Sequence, residues 1–335
     1  MRYVFLVLFH ISFFTLTGQS FQQPNCGPGS SQYLHDSVLF YNYADQEDGF
    51  WLFEPAMPRP EKSNFIVFLH GYGGYNPMIY GQWIKHLVRK GNTVVYPRYQ
   101  KTVFSPSPKK FSENVTTAIK AALSLAEKKS AHQQIDTSGF CLIGHSYGGI
   151  IGAEITINWK DYGIPKPKGL FLCAPGTGPF NSGKLDSYEQ MPQDLNLLIM
   201  VNENDYIVGD EMGIKIFETA TNTPRRNLIR QQIDFVNGIS AGHNETYCID
   251  QAFDSGHHNY TAKKALRISR TNAVDYYGYW KLFDALIDCT RSSEYCEYAF
   301  GNTPEQRNLG TITKGQNLKE LEIFIPKPRV LSSKR

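Results

Sequence analysis

One stretch restricts the possible folds of this chain more than any other: residues 140–155, FCLIGHSYGGIIGAEI. Phe140, Cys141, Leu142 and Ile143 are apolar on both faces, the pattern of a central parallel strand covered on each side by helices. The run breaks at Gly144, and Gly144, Ser146 and Gly148 fit G-x-S-x-G. In that motif glycines flank a serine because the strand-to-helix turn is too tight for side chains. Ile150, Ile151, Ala153 and Ile155 then give a helix an apolar face. Its N-terminus aims free N–H groups at the serine, a place where negative charge is stabilised.

On either side of this anchor the pattern alternates. An antiparallel pair is expected over residues 38–53 around an acidic turn at 46–49. Strands follow at 65–69, 93–96, 169–174, 195–201 and near 228–235. Helices are expected at 78–88, 111–126 with Ser112 as N-cap, from the serine to about Trp159, and near 212–219. Strands alternating with helices predict α/β architecture: a doubly wound, mostly parallel sheet flanked by helices. The short interval between Ala174 and Leu195 leaves no room for a large helical cap. The long segment 238–269, polar and aromatic, is the alternative wall for a cleft.

Chemistry in such a sheet sits at the carboxyl ends of the strands. After residues 65–69 comes HGYGG, whose glycines leave backbone N–H groups uncovered. The amides of Tyr72 and Tyr147 are the expected oxyanion donors, with the His70 ring bracing its loop. After residues 195–201 comes NENDYIVGDE. Asp205 is the expected triad acid and Glu203 the runner-up, whereas Asp210 and Glu211 suit the first turn of a helix. For the base, His257 in SGHH is the first choice, His258 the second and His243 the third. The order Ser146, Asp205, His257 is that of the hydrolase triad.

HGYGG, GHSYGG, NDYIVGDE and SGHH, in this order and at predicted strand ends, resemble the α/β-hydrolase family over roughly residues 60–310. The stretches FLHGYGGYNPMIYGQWIKHLVRKGNTVVYPRYQ and NAVDYYGYWKLFDALIDC are similar to secreted hydrolases near the cutinase, chlorophyllase and polyester-hydrolase branches. The resemblance implies Ser146, Asp205 and His257 as triad, Tyr72 and Tyr147 as donors, and a secreted serine esterase that acts on ester or lipid-like molecules. It implies no metal and no cofactor. A non-catalytic binding protein on the same scaffold, or a serine peptidase, are the competing classes.

Residues 1–20 read as a cleaved secretory signal, with Arg2 before an apolar run and a Gly18-x-Ser20 site. Residues 21–335 are expected to form one domain, with a basic tail from about residue 325. No later stretch is apolar enough to cross a bilayer. A net charge of +3, without a basic stripe, argues against nucleic acid. Of the six cysteines, Cys289 and Cys296 are expected to pair locally. Cys141 and Cys173 lie in predicted central strands, where free buried thiols and a bridge are both open, which leaves Cys26 and Cys248 as a possible pair. Asn114, Asn244 and Asn259 begin N-x-S/T sequons, and the one at Asn259 is expected to be unoccupied or to turn its sugar to solvent.

Overall fold

The computed structural model describes residues 21–104, 106–128, 131–180, 182–311 and 316–324. The expected signal and the basic tail lie outside these residues. The chain opens with an antiparallel pair, β1 (Ser37–Tyr43) and β2 (Phe50–Ala56), closed by the acidic turn in register Tyr43↔Phe50. Then come β3 (Lys62–Leu69), α1 (Gly81–Arg89), β4 (Asn92–Pro97), α2 (Phe111–Lys128) and β5 (Gln134–His145). These are followed by α3 (Tyr147–Ile157), α4 (Trp159–Tyr162), β6 (Gly169–Cys173), β7 (Asn196–Asn202), α5 (Glu211–Thr219) and β8 (Arg226–Gln231). The last part holds α6 (Tyr260–Ile268), a π-helical segment Val274–Trp280 running into α7 (Lys281–Ser292), and β9 (Glu322–Phe324).

Among the described residues the sheet has nine strands in the order β1-β2-β4-β3-β5-β6-β7-β8-β9. From β4 to β8 every pairing is parallel, and the antiparallel strands β2 and β9 close the two sides. Alternate residues of the central strands feed two cores, because side chains of a strand point to opposite faces in turn. Phe65, Val67, Leu69, Leu142, Leu170 and Leu172 pack with α2, α3 and α5. Ile66, Phe68, Cys141, Ile143, Phe171 and Cys173 pack on the other face with α1 and α7. Both faces are dry, which is why these strands read as continuous apolar runs. Among the described residues, 174–195 form neither helix nor strand, and no helix is long and apolar enough to cross a membrane.

Three local expectations are corrected. Ser112 does not cap α2: it lies inside the helix and its hydroxyl donates to Glu154 (2.5 Å) on α3. The strand expected near 228–235 ends at Gln231, after which the chain turns into a loop. Cys289 and Cys296 form a disulfide, but Cys26 and Cys248 do not. Cys248 is buried and its backbone is bonded to Ile79 (3.0 Å) and Gln82 (2.8 Å) beside α1, while Cys26 is exposed on the N-terminal segment. Cys141 and Cys173 are free and buried.

Candidate active site

β5 carries the chain to His145 and α3 begins at Tyr147, so one residue makes the turn. That residue, Ser146, has φ 54° and ψ −119°, a conformation costly for any side chain and held only by its surroundings. Its N–H donates to the Cys173 carbonyl (2.9 Å), and its own carbonyl accepts from Gly149 (3.0 Å) and Gly176 (3.2 Å). The flanking glycines follow from packing. A Cβ on Gly148 would collide with the carbonyls of Leu69 and His70, and one on Gly144 with the backbone of Gly148. The turn therefore presses on the end of β3 and lifts the serine hydroxyl to the carboxyl edge of the sheet.

The candidate acid, Asp205, lies in the turn after β7. One oxygen of Asp205 accepts the N–H groups of Ile207 (2.9 Å) and Val208 (3.1 Å), and the other meets His243 Nδ1 at 2.7 Å. Burial pushes this carboxyl up, but the His243 ring and the two amides together outweigh it and hold it below the ordinary carboxylate range. The alternatives are spent elsewhere. Glu203 accepts from the Ile233 amide (2.7 Å), Asp210 pairs with Arg230 (2.8 Å), and Glu211 lies in the first turn of α5.

The histidine is where the expectation fails. His243, not His257, stands between the serine and the acid, with Nε2 2.9 Å from Ser146 Oγ and Nδ1 on Asp205. The His257 ring lies edge-on to Trp51 and Tyr75, with Nδ1 3.2 Å from Ser255 Oγ. His258 pairs with Asp254 at 2.7 Å. Both follow the turn at Gln251–Phe253, which packs over the first hairpin through Phe253 and so carries them away from the serine. His243 sits twelve residues beyond the end of β8 at Gln231, on a loop tied to β7: Asn204 N–H donates to Ala241 O (3.0 Å) and Asn202 Nδ2 to Gly242 O (2.7 Å). Proximity to the last parallel strand was the available signal, and the SGHH doublet masked it.

The loop after β3 completes the arrangement. Gly71 N–H donates to Tyr80 Oη (3.0 Å) and Gly73 N–H to Gln100 Oε1 (2.7 Å). Among the described residues, the Tyr72 amide between them has no acceptor. Tyr147, as the first residue of α3, has an amide without a partner inside the helix. The His70 ring stacks on Tyr99 (4.0 Å between centroids) and faces the Gly71 and Arg98 carbonyls, bracing the loop from below. Burial lowers its pKa to about 4.

A second histidine, His145, joins the three loops. Tyr80 Oη, which accepts from Gly71, lies 2.8 Å from His145 Nδ1, and His145 Nε2 lies 2.9 Å from the His243 carbonyl. A carbonyl only accepts, so Nε2 carries the proton and Nδ1 accepts from the tyrosine. Burial, reinforced by the neighbouring His243 ring, lowers the His145 pKa to about 3, so the ring stays neutral and its tautomer is set. Asn259 ties in α6: its Oδ1 caps the helix at Ala262 N (2.9 Å) and its Nδ2 donates to Gly73 O (2.7 Å). The Asn259 amide is thus engaged at both Oδ1 and Nδ2.

Ser146 and His243 line a cavity of about 220 Å³, walled by Tyr72, Phe180, Ile207, Val208 and Tyr260 among others. A family model described as the alpha/beta hydrolase fold matches residues 66–242, more than half of the 335-residue chain. No curated protein matches the sequence.

Proposed function

We propose that this chain, which belongs to the α/β-hydrolase family, is a serine hydrolase that cleaves carboxylic esters through an acyl-enzyme. The observation that carries this reading is the unbroken line Ser146 Oγ, His243 Nε2, His243 Nδ1, Asp205 Oδ2, with gaps of 2.9 and 2.7 Å. A serine hydroxyl is a weak nucleophile until a base removes its proton as it attacks. His243 accepts that proton at Nε2, and Asp205 holds the ring in the required tautomer and stabilises the charge that results. The ester carbonyl becomes a tetrahedral oxyanion, and the amides of Tyr72 and Tyr147 face the charge as it forms. On collapse, His243 returns the proton to the leaving alcohol. Water then repeats the sequence on the acyl group and frees Ser146.

Aromatic and aliphatic walls favour an acyl or aryl group that buries apolar surface. A place of work outside the cell is part of the proposal, supported by the leader-like residues 1–20 and by the Cys289–Cys296 disulfide. The test is turnover of short 4-nitrophenyl esters, together with fluorophosphonate labelling, by the wild type and by Ser146→Ala. Both activities are expected in the wild type and neither in the variant. Turnover that survives the substitution would refute the assignment.

A further inference from the structure

The cavity around Ser146 contains a charge that the mechanism does not use. Among the described residues lining it, Lys264 is the one side chain with a permanent charge, and no carboxylate lines it. Lys264 is half-buried on α6, and among the described residues it has no ion pair or hydrogen bond. Half-buried lysines elsewhere are of both kinds: among the described residues the side chains of Lys184 and Lys215 also have no ion pair or hydrogen bond, whereas the half-buried Lys90, Lys166 and Lys168 and the fully buried Lys281 are engaged. Lys281 donates to the carbonyls of Glu305, Gln306 and Asn308, Lys90 to Ser30, and Lys166 and Lys168 to Asp194. Phe180, Ile207 and Val208 give the same cavity an apolar lining, and beside apolar surface an ammonium attracts an anion more strongly than one in open water.

Resting on the esterase reading, we infer that the preferred substrates are esters carrying an anionic oxygen group on the acyl side, a few bonds from the scissile carbonyl. Lys264 is the residue that selects them. Ser146 and Lys264 line the same cavity of about 220 Å³, so the carbonyl is placed at Ser146 and the anion toward α6 within one cavity. Lysine supplies a point charge on a flexible stem rather than the planar fork of arginine, so it suits a single anionic head without demanding two-pronged geometry. Asn259 ties the start of α6 to the Gly73 carbonyl, so the helix that carries Lys264 is anchored to the loop that bears the Tyr72 amide.

The experiment compares kcat/KM for the mono-4-nitrophenyl ester of glutaric acid with that for its uncharged methyl diester, so that leaving group and chain length match. The wild type is expected to favour the anionic ester. Lys264→Met should lower the ratio about tenfold, the size of a charge-assisted contact at a partly buried site, and Lys264→Glu should invert the preference. Lys263→Met removes the same charge from the exposed neighbouring position and should keep the wild-type ratio, which separates local recognition from net charge. An aryl phosphonoacetate pair tells a phosphate-type anion from a carboxylate. A ratio that is equal in wild type and Lys264→Met overturns the inference while leaving the esterase reading intact. Absence of turnover on every ester, with no labelling of Ser146, overturns both.

Discussion

Among the described residues, two buried histidines meet aspartates at similar distances, though through opposite ring nitrogens. His243 Nδ1 meets Asp205 at 2.7 Å, and His86 Nε2 meets Asp284 at 2.9 Å. The difference is at the other ring nitrogen. His243 faces the hydroxyl of Ser146 on a strained turn beside a cavity. His86 faces Tyr33 (3.2 Å) and Gln23 (3.4 Å), stacks on Trp280, and its aspartate also accepts from the Gly29 amide (2.8 Å). The second pair fastens the N-terminal segment across α1 and α7. An imidazole held by a carboxylate is thus a common structural unit. In the proposed function it carries chemistry only where a serine hydroxyl, free amides and an opening meet it.

The contrast can be broken most strongly by neutralising each acid in turn. Asp205→Asn should lower kcat by about 10⁴-fold with the fold retained, because the ring loses its tautomer and its counter-charge. Asp284→Asn should leave kcat of the folded enzyme close to wild type and instead cost about 3–5 kcal/mol of stability, the usual consequence of breaking a buried pair. Steady-state kinetics beside urea unfolding reads both. A stability loss for the first and a kinetic loss for the second would reverse the roles assigned here.

A smaller effect is expected at the hydroxyl that couples the loops. Tyr80→Phe removes the link between Gly71 and His145 while keeping the ring that packs on Phe68. kcat should fall about tenfold with KM little changed, since the link positions groups that act in the transition state. A rise in KM alone would mean that the tyrosine shapes the cavity rather than the machinery.

The mildest test uses pH. The buried rings of His145 and His70 take up protons only near pH 3 and 4, whereas the same side chains in an unfolded chain do so near 6.5. Below about 6.5 the unfolded state therefore binds more protons, and stability falls as pH drops toward those lower values. Asp205, held below the ordinary carboxylate range, adds its loss only at more acid pH. Thermal unfolding between about pH 7.5 and 4.5 should show a steadily falling Tm. A flat profile would mean that these rings are hydrated or paired when charged.

Much of this was legible from residue patterns. The apolar runs of β3 and β5 to β7 announced a sheet buried on both faces, and G-x-S-x-G located the turn because its glycines answer to a steric need that is local in sequence. Asp205 was legible for a similar reason, since its own turn supplies the amides that hold it. His243 was not, because no local pattern sets which loop histidine reaches the serine. That depends on hydrogen bonds from Asn202, Asn204 and His145, far away in the chain. That Cys26 and Cys248 stay unpaired was illegible for the same reason, as elimination among cysteines says nothing of distance.

The central claim is that His243, and not His257, activates Ser146. It is tested most directly by the rate of fluorophosphonate labelling in wild type, His243→Gln and His257→Gln, with the labelled peptide identified by mass. The account predicts modification at Ser146, a rate that falls by at least about 10³-fold in His243→Gln, and a rate within about threefold of wild type in His257→Gln. A near-normal rate in His243→Gln with loss of labelling in folded His257→Gln would contradict it.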